Sequence, residues 1–376
     1  MRFPFLYLFL YCLCSNQIIA SEIIDFRLQD GEIIKGKLSL PEGSESVSHI
    51  VLYIHGTGPN TYLNKRGNAD QNFNYYDMFA EEFNKAGIGF LSYNRRGVTM
   101  SETPPMYDKV DSLKYAKYSP KTEANDVESI IRQLKKYGNF QKTKIILLGW
   151  SEGTIIASMI AERKIVDIDA LMLCGYANEN LFDIIKWQLN GASSMISVCQ
   201  CFDSDDNKFI DRGEYESEEK VAAYCRKELF GGVDFSLLDK SQDSILDARD
   251  FKIQTEPYYK MLLEKTEAGD NNWIWNNYFK ITSQWLKQHF ALEANKTRML
   301  RLELPIYIFH GTSDANTAVE GVYDIEKRFK STGKTNLKCQ VFEKHDHDLN
   351  FTSWLKNKEL PEGIKAIFEQ ARKIIN

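Results

Sequence analysis

The chain lacks any surplus of basic charge: 47 Lys and Arg stand against 52 Asp and Glu, for a net charge of −5. That mild acidity argues against nucleic acid as a main partner, because phosphate binding favours basic surfaces. The apolar run at residues 3–13 falls short of the roughly 20 residues a membrane-spanning helix needs. Histidine is scarce, with six in the whole sequence, and none lies among the clustered Cys199, Cys201 and Cys225. A zinc site there is disfavoured. No low-complexity linker or internal repeat is evident.

What is present is ordinary in bulk and unusual at one end. The 376 residues suffice for a large core and two structural units, and 43% hydrophobic with 26% charged residues is a globular composition. The N-terminus runs Arg2, apolar residues 3–13, polar Ser15, Asn16 and Gln17, then Ala20 and Ser21. That is the layout of a secretory signal peptide over residues 1–20, cleaved near Ala20. The alternative is an uncleaved anchor. Export to a secreted or periplasmic location makes one disulfide from Cys225 to Cys199 or Cys201 plausible. Cys174 and Cys339, in strand-like runs, read as buried thiols.

Strand and helix patterns alternate over residues 21–175. Residues 23–28 and 33–40 form a hairpin about Asp30 and Gly31. Residues 49–55 and "GIGFLSY" are further strands, with a helix near residues 79–84 between them. In "TEANDVESIIRQLKKYG", Ala124, Val127, Ile130, Ile131 and Leu134 share a helical face, and Gly138 is the expected stop. The alternation indicates an α/β fold with a mainly parallel sheet between helices. It stops at residues 176–301, a polar, aromatic and helix-like stretch that holds Trp187, Trp273, Trp275 and Trp285. The sheet pattern resumes over residues 302–376 and closes on an amphipathic helix around Ile364, Ile367, Phe368 and Ala371. The interruption therefore reads as a cap or lid inserted between core strands.

The segment "IILLGWSEGTIIAS", residues 145–158, runs from a buried strand into a buried helix face through Gly149, Ser151 and Gly153. The spacing G-x-S-x-G suits a sharp strand-to-helix turn that pushes the serine out of the sheet to the helix N-terminus. A serine there can also be only an N-cap. The late strands decide between the two. They deliver Asp314 after "IYIFHGTSD", and His345 and His347 in "KHDHD", to the strand ends where open sheets carry their chemistry. A nucleophilic serine needs an imidazole base and a carboxylate to orient it.

With Ser151, Asp314 and His347 in that order, the sequence resembles the α/β-hydrolase superfamily. It looks closest to secreted esterase-like members grouped with dienelactone hydrolases and serine aminopeptidase-like proteins. "HGTGP", residues 55–59, matches their oxyanion loop. "NRRGVTMS", residues 94–101, resembles their D-x-R-G-x-G-x-S turn but departs from it at Asn94 and Thr99. The resemblance implies Ser151 as nucleophile, His347 as base, Asp314 as its orienting carboxylate, and the backbone N–H groups of Thr57 and Glu152 as oxyanion donors. It implies no catalytic cofactor. His345 is left a core or surface role, and His55 and His310 structural ones. The implied activity is cleavage of small carboxylic esters. A peptidase acting on short or N-terminal peptides shares the same triad and would need a carboxylate in the cap for the substrate amine. An inactive hydrolase-fold binding protein is the reading outside catalysis.

A second motif, "DSDDNKFIDRGE", follows the spacing of a calcium loop. The ligand positions fall on Asp203, Asp205, Asn207, the Phe209 carbonyl, Asp211 and Glu214. Lys208 stands where glycine is usual. Either one structural Ca²⁺ orders the insertion or the segment is a solvated acidic turn. The aromatics of residues 271–290 are expected mainly to form the cap's own core, with one or two facing the substrate and favouring an apolar acyl or aryl group.

Overall fold

The computed structural model describes residues 20–104 and 107–376. The segment read as a signal peptide lies outside the described residues up to residue 19. Eight strands form the central sheet: β1 (Ala20–Arg27), β2 (Ile33–Leu40), β3 (His49–Ile54), β4 (Gly89–Tyr93), β5 (Lys144–Trp150), β6 (Ala170–Cys174), β7 (Ile306–Gly311) and β8 (Leu337–Phe342). Their spatial order is β1-β2-β4-β3-β5-β6-β7-β8. Only β2 runs antiparallel to its neighbours. The other pairings are parallel.

Alternation along the strands sends side chains into two cores. Ile145, Leu147, Leu171 and Leu173 pack on one side with α2 (Pro120–Leu134), α3 (Glu152–Arg163) and α8 (Glu320–Ser331). Ile146, Leu148, Ala170 and Met172 pack on the other with α1 (Tyr75–Lys85) and α9 (Glu362–Ile375). Strands buried on both faces read as continuous apolar runs, which is why they were legible. Helix α2 opens with Pro120 after the N-cap Ser119, whose hydroxyl accepts from the Thr122 N–H. It ends at Leu134. Gly138, the expected stop, lies beyond in a short run of turns with a φ of 50°.

Between β6 and β7 the chain forms α4 (Leu181–Gln188), α5 (Ala192–Phe202), α6 (Ala248–Ala268) and α7 (Ser283–Phe290), with shorter helices among them. Two apolar clusters hold this insertion. One is its own, around Val198, Phe202, Ile210, Tyr215, Phe235, Leu246 and Phe251. The other joins Ile185, Leu262, Ile274, Trp285 and Leu286 to Val98, Tyr115 and Tyr118 of the sheet domain. The disulfide is Cys201–Cys225, which leaves Cys199 free. Cys174 is buried as expected, but Cys339 is only half-buried because β8 is the edge strand. Among the described residues no helix is long and apolar enough to cross a membrane.

Candidate active site

The connection from β3 leads away to β4, and the connection from β4 returns to β5 on the far side of β3. Helices α1 and α2 therefore lie on opposite faces, and a crevice opens beyond the carboxyl ends of β3 and β5. His55 to Gly58 leave β3 there, and Ser151 leaves β5 there.

Ser151 has a φ of 57° and a ψ of −120°, a strained conformation for a residue with a side chain. It persists because the turn is fixed on both sides. The Ser151 N–H donates to the Cys174 carbonyl (2.9 Å), and the Thr154 hydroxyl donates to the Ser151 carbonyl (2.7 Å). The two flanking glycines serve close approach rather than positive φ. A Cβ on Gly149 would lie 2.5 Å from the Gly153 carbonyl oxygen, and one on Gly153 would lie 2.2 Å from that of Ile54. Strand, turn and helix can only approach this closely without side chains at those positions.

Asp314 follows β7 and is 1% exposed. Its Oδ1 accepts the N–H groups of Asn316 (2.8 Å) and Thr317 (2.9 Å). Its Oδ2 accepts the Thr317 hydroxyl (2.9 Å) and His347 Nδ1 (2.7 Å). Burial alone would raise this carboxyl's pKa, but the facing His347 outweighs it and holds the group down at about 2. His347 moves the other way. Burial opposes its charged form, yet the Asp314 carboxylate raises it above the usual imidazole value. The loop bearing His347 is pinned by Trp150, whose Nε1 donates to the His347 carbonyl (3.1 Å).

Ser151 and His347 line one cavity of ≈ 350 Å³ with Thr57 and Glu152. Among the described residues no hydrogen bond joins the Ser151 hydroxyl to the imidazole. Such contacts are often loose until substrate is bound. The Ser151, His347 and Asp314 of the sequence reading are thus placed at one end of the sheet, with the His347–Asp314 pair in contact. The other histidines have partners of their own, and one of them, His310, also approaches the carboxylate, with Nε2 3.5 Å from Asp314 Oδ2. His55 bonds the Tyr76 hydroxyl and the Tyr93 carbonyl, and His310 bonds Thr317 O and accepts the Tyr176 N–H. His345 bonds the Glu343 carbonyl and accepts the Gly363 N–H.

The insertion contributes Leu181, Ile184, Gln188, Tyr278, Phe279 and Trp285 to the cavity wall. None is a carboxylate. Trp273 and Trp275 instead belong to the cluster that seats the insertion. Arg66, from the hairpin Lys65–Gly67 and Asn72–Asn74, lies over the Tyr75 ring at 3.9 Å and 3.7 Å from Asp348.

One network beside the serine was not read from the sequence. The sequence points to the backbone N–H of Glu152 alone. Its side chain is buried and accepts from Tyr118 and from two residues of the insertion, Trp285 and His289. Burial would raise this carboxyl's pKa, but His289, Arg95 and Tyr118 together hold it below the ordinary value. An acid rather than an apolar residue after the elbow serine was the available signal. Its partners lie 34 to 137 positions away and carry no local pattern.

The acidic loop lies apart from this cavity. Oxygens of Asp203, Asp205 and Glu214 come within 4.8 Å of one another. All five side chains accept backbone N–H groups within the loop: Asp203 from Asn207 and Lys208, Asp205 from Asn207, Asn207 from Phe209, Asp211 from Glu214, and Glu214 from Ser204 and Asp211. Lys208 has a φ of 71°, the conformation for which glycine is usual, and its ammonium pairs with Asp206. The chain also holds a second loop of the same build, contrary to the expectation of no internal repeat. In residues 239–250, Asp239 accepts from the N–H groups of Asp243 and Ser244, as Asp203 does from Asn207 and Lys208. Asp247 and Asp250 form the same capping box as Asp211 and Glu214. The two loops pair Ile210 with Leu246. The signal was Asp at positions 1, 5, 9 and 12 of "DKSQDSILDARD", obscured by Ser241 at position 3 and by the absence of a closing Glu.

A scan against protein-family models finds no match, and a search of curated proteins finds none. Solved structures do match. A thermostable carboxyl esterase from Bacillus coagulans aligns with a TM-score of 0.53 at 16% identity, over 95% of this chain and 100% of that one. A lipase in its open form aligns with a TM-score of 0.50 at 16% identity, over 95% of this chain and 98% of that one. At such identities the likeness speaks to architecture. Together with the strand order and the turn between β5 and α3, it identifies this chain as a protein of the α/β-hydrolase fold.

Proposed function

We propose that the protein is an exported serine hydrolase that cleaves small carboxylic esters. One observation carries the proposal. A serine held in a strained elbow shares a cavity with an imidazole whose Nδ1 is bonded to a buried carboxylate. The bonded Nδ1 leaves Nε2 as the base.

In the proposed reaction Ser151 Oγ attacks the ester carbonyl and its proton passes to His347 Nε2. The tetrahedral oxyanion lies against the N–H groups of Thr57 and Glu152, where losing one donor costs about 3 kcal/mol of barrier. Collapse breaks the bond to the alcohol, which leaves with the proton from His347. Water then attacks the acyl-enzyme, again losing a proton to His347, and Ser151 regains its proton as the acid departs. No metal or cofactor takes part in these steps. The aromatic and aliphatic wall favours an apolar acyl or aryl group.

Among the described residues the insertion, which we read as a cap over residues 176–301, places no carboxylate in the cavity. The carboxylates that do line the cavity, Glu152 and Asp348, belong to the sheet domain and face donors of their own, Tyr118, Trp285 and His289 for the first and Arg66 for the second, which supports ester over aminopeptide substrates. Fluorophosphonate labelling, lost in Ser151→Ala, tests catalysis against an inactive binding role. Turnover of p-nitrophenyl esters in preference to aminoacyl-anilides tests the substrate class.

Two further parts belong to the same reading. Export rests on the N-terminal sequence and agrees with the Cys201–Cys225 disulfide. A structural Ca²⁺ on the loop of residues 203–214 fits an all-oxygen donor set that would otherwise hold three carboxylates together. Asp203, Asp205 and Glu214 would hold it, and the motif spacing would add Asn207, Asp211 and the Phe209 carbonyl. The ion would order the insertion and take no part in the chemistry.

A further inference from the structure

We infer that Trp285 and His289 are positioning residues for the oxyanion donors and act through the carboxylate of Glu152. The inference rests on the hydrolase reading above and deepens it: the insertion completes the catalytic apparatus as well as walling the cavity.

Glu152 is buried, its side chain only 1% exposed. A carboxylate is taken out of water only where donors replace the water. Trp285 Nε1 (3.0 Å) and His289 Nε2 (2.8 Å) both donate to Oε1, and the Tyr118 hydroxyl donates to Oε2. Two of these three donors stand on α7, at positions i and i+4 on one helical face. The peptide N–H of Glu152 begins α3 directly after Ser151. Holding the side chain from three directions fixes the orientation of that peptide.

The second proposed donor is tied to the same cluster. Arg95 lies over the Tyr118 ring at 4.1 Å and is fully buried. Its Nη1 donates to the Gly56 carbonyl (2.9 Å) and to the Gly58 carbonyl, the residues on either side of Thr57. Its Nε faces Glu123 at 3.2 Å. One buried assembly therefore grips the loop carrying Thr57 by its carbonyls and the helix start carrying Glu152 by its side chain. Oxyanion stabilisation depends on donors fixed in advance, so loosening either grip lowers the rate of the chemical step more than substrate affinity.

The test uses the full mature chain and a p-nitrophenyl ester, with active sites counted by fluorophosphonate labelling carried to completion. Trp285→Phe keeps an aromatic ring in the cavity wall and deletes one donor. His289→Leu deletes the other, and His289→Gln restores a donor. The deletions are expected to lower kcat per labelled site about tenfold or more with KM within about twofold, and His289→Gln to recover most of the loss. The preference for an oxo-ester over its thiono-ester should shrink in the deletion variants, because the larger sulfur fits a well-ordered hole worst. Should His289→Leu fail to fold, Trp285→Phe and Tyr118→Phe decide the matter. Values of kcat per site within twofold of wild type, with unchanged thiono discrimination, overturn the inference even if stability falls. Esterase activity surviving in Ser151→Ala would instead overturn the hydrolase reading beneath it.

Discussion

Two glutamates make the instructive contrast. Glu152, beside the candidate nucleophile, is enclosed by a tryptophan, a histidine, a tyrosine and an arginine drawn from three parts of the chain. Glu214, closing the first acidic loop, is half-buried and accepts only from residues within ten positions of itself. The first site is built by tertiary packing and is fixed before any ligand arrives. The second is built by local sequence and gathers like charges that a cation would reconcile. A site of the first kind should be sensitive to single atoms and indifferent to metal, and one of the second kind the reverse.

The comparison breaks most directly at the serine. Ser151→Ala is expected to cut ester hydrolysis by about 10⁴-fold or more, and Asp314→Asn by about 10³ to 10⁴, without loss of fold by circular dichroism. Retained activity in either would remove the catalytic half of the contrast. Gly149→Ala, which sets a Cβ 2.5 Å from a carbonyl oxygen, should destabilise by about 1–3 kcal/mol in urea unfolding.

Calcium sharpens the other half. At about 100 times its dissociation constant, bound Ca²⁺ should stabilise by about 2.7 kcal/mol, seen as a melting temperature that falls with EDTA and returns with added Ca²⁺. Glu214→Gln should abolish that response while kcat below the melting range stays put. An unchanged melting temperature would reduce the loop to a solvated acidic turn.

The smallest effect concerns pH. His347 must be neutral to act as base; burial opposes its charged form, but Asp314 foremost, with Asp348 and Asp346 contributing, raises its pKa above the ordinary imidazole value. Activity should therefore fall as pH drops through a value above the ordinary imidazole range. Asp348→Asn removes one of the raising charges, so that limb of the kcat/KM profile should move a few tenths of a unit to lower pH. A limb that moves upward would contradict the assigned geometry.

The legible parts of this protein were those with local signatures. Buried strands showed as apolar runs, α2 as a periodic face, and the elbow as glycines around Ser151. The disulfide was narrowed to two partners for Cys225, and packing chose Cys201. Gly138, the expected helix stop, lies past the helix end because the chain leaves α2 at Leu134 through turns closed by the Lys136 N–H on the Gln133 carbonyl and the Tyr137 N–H on the Leu134 carbonyl. The second acidic loop was missed because Ser241 and Asp250 stand at positions where a motif expects other oxygens.

The sequence by itself determined the order of strands and helices, the place of the sharp turn, and the chemical character of Ser151, Asp314 and His347. These follow from residue type and spacing, which act over a few positions. Only the tertiary structure decided that Asp314 meets His347, that α7 reaches Glu152, and that Arg95 grips both sides of Thr57. Those contacts join residues 33 to 137 positions apart, and the burial that strengthens each of them exists only once the sheet and the insertion have packed.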